Sequence, residues 1–268
     1  MALLKESYAL EKTPVVTSFT VPADRLNDAG QYALAREILE IGAQVHGQQG
    51  GILFQFARAY AGEGDHRRAF LLAGRAISLI PEAVEPAFDK LPLPKEMRAS
   101  LTLQLAWALY YGKDSEHAAK RFAEYTAGAP EDVGALRGQA FALFRLGKYD
   151  EAMPLLTRVA EIEDSQLEPI QEVVAIPGTD QNWPIEYNAR TTLAWAYLRS
   201  GKPKQAAEQF AAALQDWPYW IDALTGMGYA MSRIGDVQGA QRYFRAALLI
   251  SPGYPDAWQG LDNAGATQ

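Results

Sequence analysis

His46, His66 and His117 are the only imidazoles in the chain, and there is no cysteine. Disulfides, thiolate metal sites and cysteine nucleophiles are thereby excluded. A helical zinc site needs two ligands four residues apart on one face, and no pair of these histidines has that spacing. His66 falls in a turn before Arg67-Arg68 and His117 on the solvent side of a helix, both ordinary surface positions. The run Glu161-Ile162-Glu163-Asp164 reads as a solvated face, because paired carboxylates do acid–base work only inside a pocket and nothing in the pattern builds one. No glycine-rich phosphate loop follows a strand-like run. No catalytic residue, metal or cofactor is expected, and the chain is not read as an enzyme. Spaced aromatics remain: Trp107 with Phe141, and Trp195 with Tyr229, are each 34 residues apart.

That interval belongs to the whole chain. Gly64-Asp65 is followed by Ala69, Ala76 and Pro81; Gly201-Lys202 by Ala206, Phe210, Ala213 and Pro218; Gly235-Asp236 by Ala240, Phe244, Ala247 and Pro252. Full units fall at 50–83, 99–132, 133–166, 187–220 and 221–254, each a first helix, a glycine-containing turn and a second helix. Ala57, Ala106, Ala140, Ala194 and Gly228 recur in the first helices, and Ala69, Ala118, Ala152, Ala206 and Ala240 in the second. Small residues at these places let two helix backbones approach closely. Large apolar pairs four apart, such as Leu105 and Leu109 or Met227 and Met231, fill the remaining space on one face. Two irregularities stand out: Gly112 lies one position early in its turn, and Pro154 sits inside a second helix, where it removes a donor.

A 34-residue helix–turn–helix period with these offsets resembles the tetratricopeptide repeat family. The resemblance covers about residues 50–254 as full units. It implies an all-α fold, a right-handed α–α superhelix or solenoid of about five full repeats with terminal capping helices. In this family the first helices line an inner groove, so groove residues can be taken from their offset. The ninth position supplies Arg58, Trp107, Phe141, Trp195 and Tyr229; three residues on come Tyr110 and Phe144; the next position gives Tyr111, Arg145, Arg199 and Arg233. An aromatic stripe edged by arginines suits recognition, since rings offer large area at small entropic cost and arginine pairs with carboxylates or stacks. The competing reading is that each ring packs against the next helix. Arg137 and Arg145 are present without the asparagines of the carboxylate clamp, which disfavours chaperone-tail binding.

The remaining segments are irregular. Residues 1–21 are expected as an extended N-terminal arm, because Val15–Val21 is rich in β-branched residues and Pro22 interrupts a helix; residues 22–49 then form a degenerate half-repeat. Spacer 84–98, with Pro86, Pro92 and Pro94, is expected to begin as a loop, and spacer 167–186 to hold a short extended run at 171–176. Residues 255–268 read as a capping helix carrying Trp258 and Leu261.

Net charge is −7 and the pI is near 5.1, which disfavours a nucleic-acid partner. No apolar run is long enough for membrane insertion. The expected partner is a protein or peptide, with a homo-oligomer possible through the N-terminal arm. Alternatives are an exported scaffold of a bacterial polysaccharide synthesis or secretion system, and a self-assembling array. The N-terminus lacks a basic and apolar leader, so the sequence reads as cytoplasmic as written and periplasmic if a signal peptide preceded Met1.

Overall fold

The computed structural model describes residues 15–166 and 189–265. Among these it contains fourteen α-helices, one 3-10 turn and no strand, so the all-α reading in helix pairs is borne out. The helices are α1 Thr17–Asp28, α2 Tyr32–His46, α3 Gly50–Gly62, α4 His66–Leu79, α5 Pro81–Val84, α6 Lys95–Tyr111, α7 Ser115–Gly128, α8 Val133–Arg145, α9 Tyr149–Gln166, α10 Ala189–Arg199, α11 Pro203–Asp216, α12 Ile221–Ile234, α13 Val237–Ile250 and α14 Pro255–Gly265. The 3-10 turn spans Glu85–Lys90. Residues 1–14 and the expected extended run at 171–176 lie outside the described residues.

One turn geometry is used six times. Gly30, Gly64, Lys113, Gly147, Gly201 and Gly235 all have positive φ, between 69° and 97°. The next residue's N–H then reaches back to a carbonyl five residues earlier, at 2.8–3.0 Å, from Gln31 to Leu26 through Asp236 to Met231. This satisfies carbonyls that the helix end leaves open and fixes the angle of the second helix. Gly112, one place early, misses the left-handed slot, and Lys113 occupies it with φ 69°. Asp65, Asp114 and Asp236 then cap the following helix, accepting from the backbone N–H three residues on.

The recurrent alanines are buried in both helices of each pair. Phe210 and Phe244 interleave with them, and a Cβ added at Gly228 would lie 2.6 Å from the Phe244 ring. The helix α9 continues through Pro154.

Two expectations are corrected. Residues from Thr17 are helical, not an extended arm, and α1 with α2 makes a full pair in place of a half-repeat beginning at residue 22. Ala23, Gly30, Ala35 and Gly42 match Ala57, Gly64, Ala69 and Ala76 at the same offsets, so 16–49 is itself a unit in register. Burial overrides local preference here. Phe19 and Ala23, four apart, are fully enclosed, and that packing offsets the hydrogen bond lost at Pro22. Spacer 84–98 is likewise no plain loop. The short α5 and the 3-10 turn bury Val84, Glu85 and Phe88 before α6 begins.

The chain divides into two compact units, parting between Tyr125 and Thr126. Within the second, α8 touches α10, α10 touches α12, and α12 touches α14, so the first helices form one layer. The second helices α9, α11 and α13 pack on the other side of it, each between two first helices.

Candidate recognition face on the first helices

On α3, in the first unit, the ninth-position residue is Arg58, and it is buried. Its guanidinium pairs with Asp24 and Asp28 of α1 and donates to Gln55. Lys90 also reaches Asp28 at 2.7 Å, and hydrogen bonds from Lys90 and Arg58 hold that carboxyl below its ordinary value. A second network surrounds Arg121 of α7, which donates to Glu85 at 2.7 Å, Asp89 at 2.8 Å and Glu124 at 2.7 Å. Its guanidinium also lies over the Phe88 ring, 5.0 Å from the centroid. Burial opposes the Arg121 charge, and the three carboxylates more than offset it. Trp107 stacks on Tyr111 and meets Tyr110 and Phe122 edge-on.

In the second unit Trp195 and Tyr229 stand on successive first helices with ring centroids 6.1 Å apart. Each also meets the phenylalanine of its own second helix edge-on, Trp195 with Phe210 at 5.4 Å and Tyr229 with Phe244 at 5.1 Å. Both rings are therefore half in the core and half on the surface. Arg199 lies over Phe144, 5.2 Å from its centroid, and donates to the Tyr149 hydroxyl at 3.2 Å. Arg145 and Arg233 are exposed.

The structure does not make one exposed stripe of the ten predicted residues. Tyr110 and Phe141 are only 2% and 3% exposed and belong to the core, whereas Tyr111 is 63% exposed. Offset within a repeat sets the direction of a side chain, while its depth depends on the neighbouring helix. Trp107, Phe144, Trp195 and Tyr229 are half-buried.

Sequence reasoning missed three residues here. The Trp195 indole N–H donates to Oδ2 of Asp222 at 3.0 Å, and the Tyr229 hydroxyl donates to the backbone carbonyl of Asp256 at 2.8 Å. Each acceptor lies 27 residues after its aromatic, and the two aspartates are 34 apart, so the same period that exposed the aromatics marks them. Asp222 is 7% exposed. Burial pushes its carboxyl up to about 6 and nearby Asp256 adds to this, against the Trp195 hydrogen bond and the charge of Arg199. Tyr254, just before α14, is pushed up to about 12 by burial and by Asp222 and Asp256. A separate cavity of about 580 Å³ in the first unit lies among α2, α3 and α4, lined by Ile52, Phe56, Tyr60 and Leu71, and contains none of the recognition residues above.

Helix pairs with a repeated left-handed turn and buried alanines, set in the second unit as one layer of first helices backed by second helices, define an α-helical repeat protein. A model of the tetratricopeptide repeat family matches residues 103–166 and 191–257. Among solved structures, YrrB, a TPR protein with an unusual peptide-binding site, gives a TM-score of 0.54 at 15% identity, covering 84% of this chain and 97% of its own. The APC/C hetero-tetramer Cut9–Hcn1 gives 0.51 at 14% identity over 98% of this chain and 45% of that one. The MamA RS-1 ArsTM double mutant gives 0.52 at 16% identity over 63% of this chain and 84% of its own. At such identities the likeness is one of fold. No curated protein matches the chain by sequence.

Proposed function

We propose that the chain is a non-enzymatic interaction scaffold whose second unit binds an extended peptide segment of a partner protein across α8, α10 and α12. The observation that carries this reading is the pair Trp195 and Tyr229, half-exposed and in contact on successive first helices, each tethered by its polar atom. Rings already held in place lose little entropy on binding and supply large apolar area, as interface anchors do. Arg199, laid on Phe144 beside them, offers a cation to an acidic side chain of the ligand. YrrB, of the same fold, is a TPR protein with a peptide-binding site, which favours a peptide as the ligand.

The test is to pan a random-peptide display library against the full chain and measure the affinity of the best peptide by calorimetry. Arg199→Glu is expected to weaken binding about tenfold, more at low salt than at high salt. Trp195→Phe keeps a ring against Phe210 but loses the indole and its hydrogen bond to Asp222, and is expected to weaken binding severalfold together with a lowered melting temperature. Unchanged affinity in both variants would reject this face as the binding site.

A further inference from the structure

Asp222 is a buried carboxylate that the fold leaves without an ion pair, Arg199 acting on it only as a charge at a distance. Among the described residues its one hydrogen bond is the Trp195 N–H, and it makes no ion pair. The two buried arginines of the first unit, by contrast, each pair with carboxylates. An unpaired buried charge is costly, and the indole N–H would be satisfied as well by a neutral amide oxygen. Asp222 lies in the first turn of α12, where the helix dipole favours an anion, but its side chain makes no capping bond, and burial still dominates its titration. Stability of the fold therefore does not account for a carboxylate at this position.

Its surroundings do. The helix α10 contributes Trp195 and Arg199, α12 contributes Tyr229, and the segment entering α14 contributes Tyr254 and Asp256. Tyr229 and Tyr254 pack together over the same apolar cluster, with the Trp195 ring beside Tyr229. Asp256 is exposed and stands at the rim, one repeat on from Asp222. Arg199 is engaged by Phe144 and Tyr149, so its charge is felt at Asp222 but it makes no ion pair with either aspartate. We infer that Asp222 and Asp256, walled by the rings of Trp195, Tyr229 and Tyr254, form a cation subsite that takes one lysine or arginine side chain of the bound peptide; this rests on the peptide-binding reading above. The rim carboxylate draws the cation in, the rings shield it from water, and the buried carboxylate gains an ionic partner. The ligand selects ionised Asp222, so binding weakens as the pH falls through about 6.

The experiment pans the same peptide library in parallel on the wild type and on Asp222→Asn, which keeps an acceptor for the indole. Wild-type protein is expected to enrich peptides with one fixed basic position, and the variant to keep their apolar positions while losing the basic one. For a single selected peptide, replacing its basic residue by norleucine is expected to weaken wild-type binding about tenfold and to leave binding to the variant unchanged. Lowering the pH from about 7.5 to about 5 is expected to bring the wild type to the variant's affinity, with the norleucine peptide as control. Asp256→Asn, at the exposed rim, gives the same readout at smaller amplitude should Asp222→Asn fold poorly. Enriched peptides without a basic position, or a basic preference that survives both substitutions, overturn the subsite and leave peptide binding standing. Failure of the wild type to enrich any peptide overturns peptide binding itself, and the subsite with it.

Discussion

Asp24 with Arg58 in the first unit, and Trp195 with Tyr229 in the second, occupy the same slot of their repeats, nine residues in, on neighbouring first helices. On α1 and α3 the slot is closed by an ion pair whose buried arginine holds two aspartates, while on α6 the same slot holds the half-buried ring of Trp107. On α10 and α12 it holds two rings that keep one side open, and the nearby buried charge, Asp222, makes no ion pair. Repeat geometry thus presents the same position many times, and side-chain chemistry decides whether it is sealed for stability or left for a ligand. Buried charge that is paired marks the first use, and buried charge that is unpaired marks the second.

The contrast is broken most directly at Arg121. Arg121→Met leaves Glu85, 5% exposed, without its partner and is expected to cost about 3–5 kcal/mol in denaturant unfolding. Arg121→Met with Glu85→Leu is expected to recover much of this loss. A single-variant cost below about 1 kcal/mol would show that paired buried charge is not what holds the first unit. Ala206→Phe tests the helix crossing common to the repeats and is expected to cost about 1–3 kcal/mol or more by overpacking.

Asp222→Asn is expected to act in the opposite direction. The folded carboxyl titrates near 6, above its ordinary 3.8, so the folded state binds more proton than the unfolded state between those values. The penalty of ionising Asp222 is complete above about pH 6 and disappears as the pH falls toward 4. The variant should therefore exceed the wild type by on the order of 1–3 kcal/mol at neutral pH, with the gap closing between pH 6 and 4. A gap independent of pH would place the effect elsewhere than in the charge. The smallest effect belongs to Lys113→Gly, which relieves the left-handed strain of the one turn lacking glycine there and is expected to stabilise by about 1 kcal/mol in thermal melts.

Helix pairing was readable because glycine at the turn and alanine at the crossing are demanded by backbone geometry and recur at fixed offsets. The unit 16–49 carries that signal in Ala23, Gly30, Ala35 and Gly42, yet Pro22 and the β-branched run pointed locally the other way, and only the burial of Phe19 and Ala23 decides between them. The order in spacer 84–98 was hidden because Glu85 is held by Arg121, 36 residues distant, outside any local pattern. At the candidate site, period alone picked out Trp195 and Tyr229. It could not show that Phe141 and Tyr110 sink into the core, since depth is set by what the next helix leaves uncovered. Asp222 and Asp256 repeat as regularly as the aromatics, but a lone aspartate near a helix start is so common that its meaning appears only with its burial.

Gly226 and Gly228, two residues apart and so on nearly opposite faces of α12, make space for rings from either side: a Cβ at the first would come within 2.2 Å of Phe210, and at the second within 2.6 Å of Phe244. Each glycine makes a helix interior about 1 kcal/mol less favourable than alanine does. The helix α12 thus has little helicity of its own and is ordered by the two phenylalanines docked from α11 and α13. Its amides are expected to exchange hydrogen in step with those of α11 and α13, in a single cooperative opening, instead of fraying turn by turn. The segment bearing Asp222 and Tyr229 is then either wholly formed or wholly absent, and a partner meets it in no intermediate state.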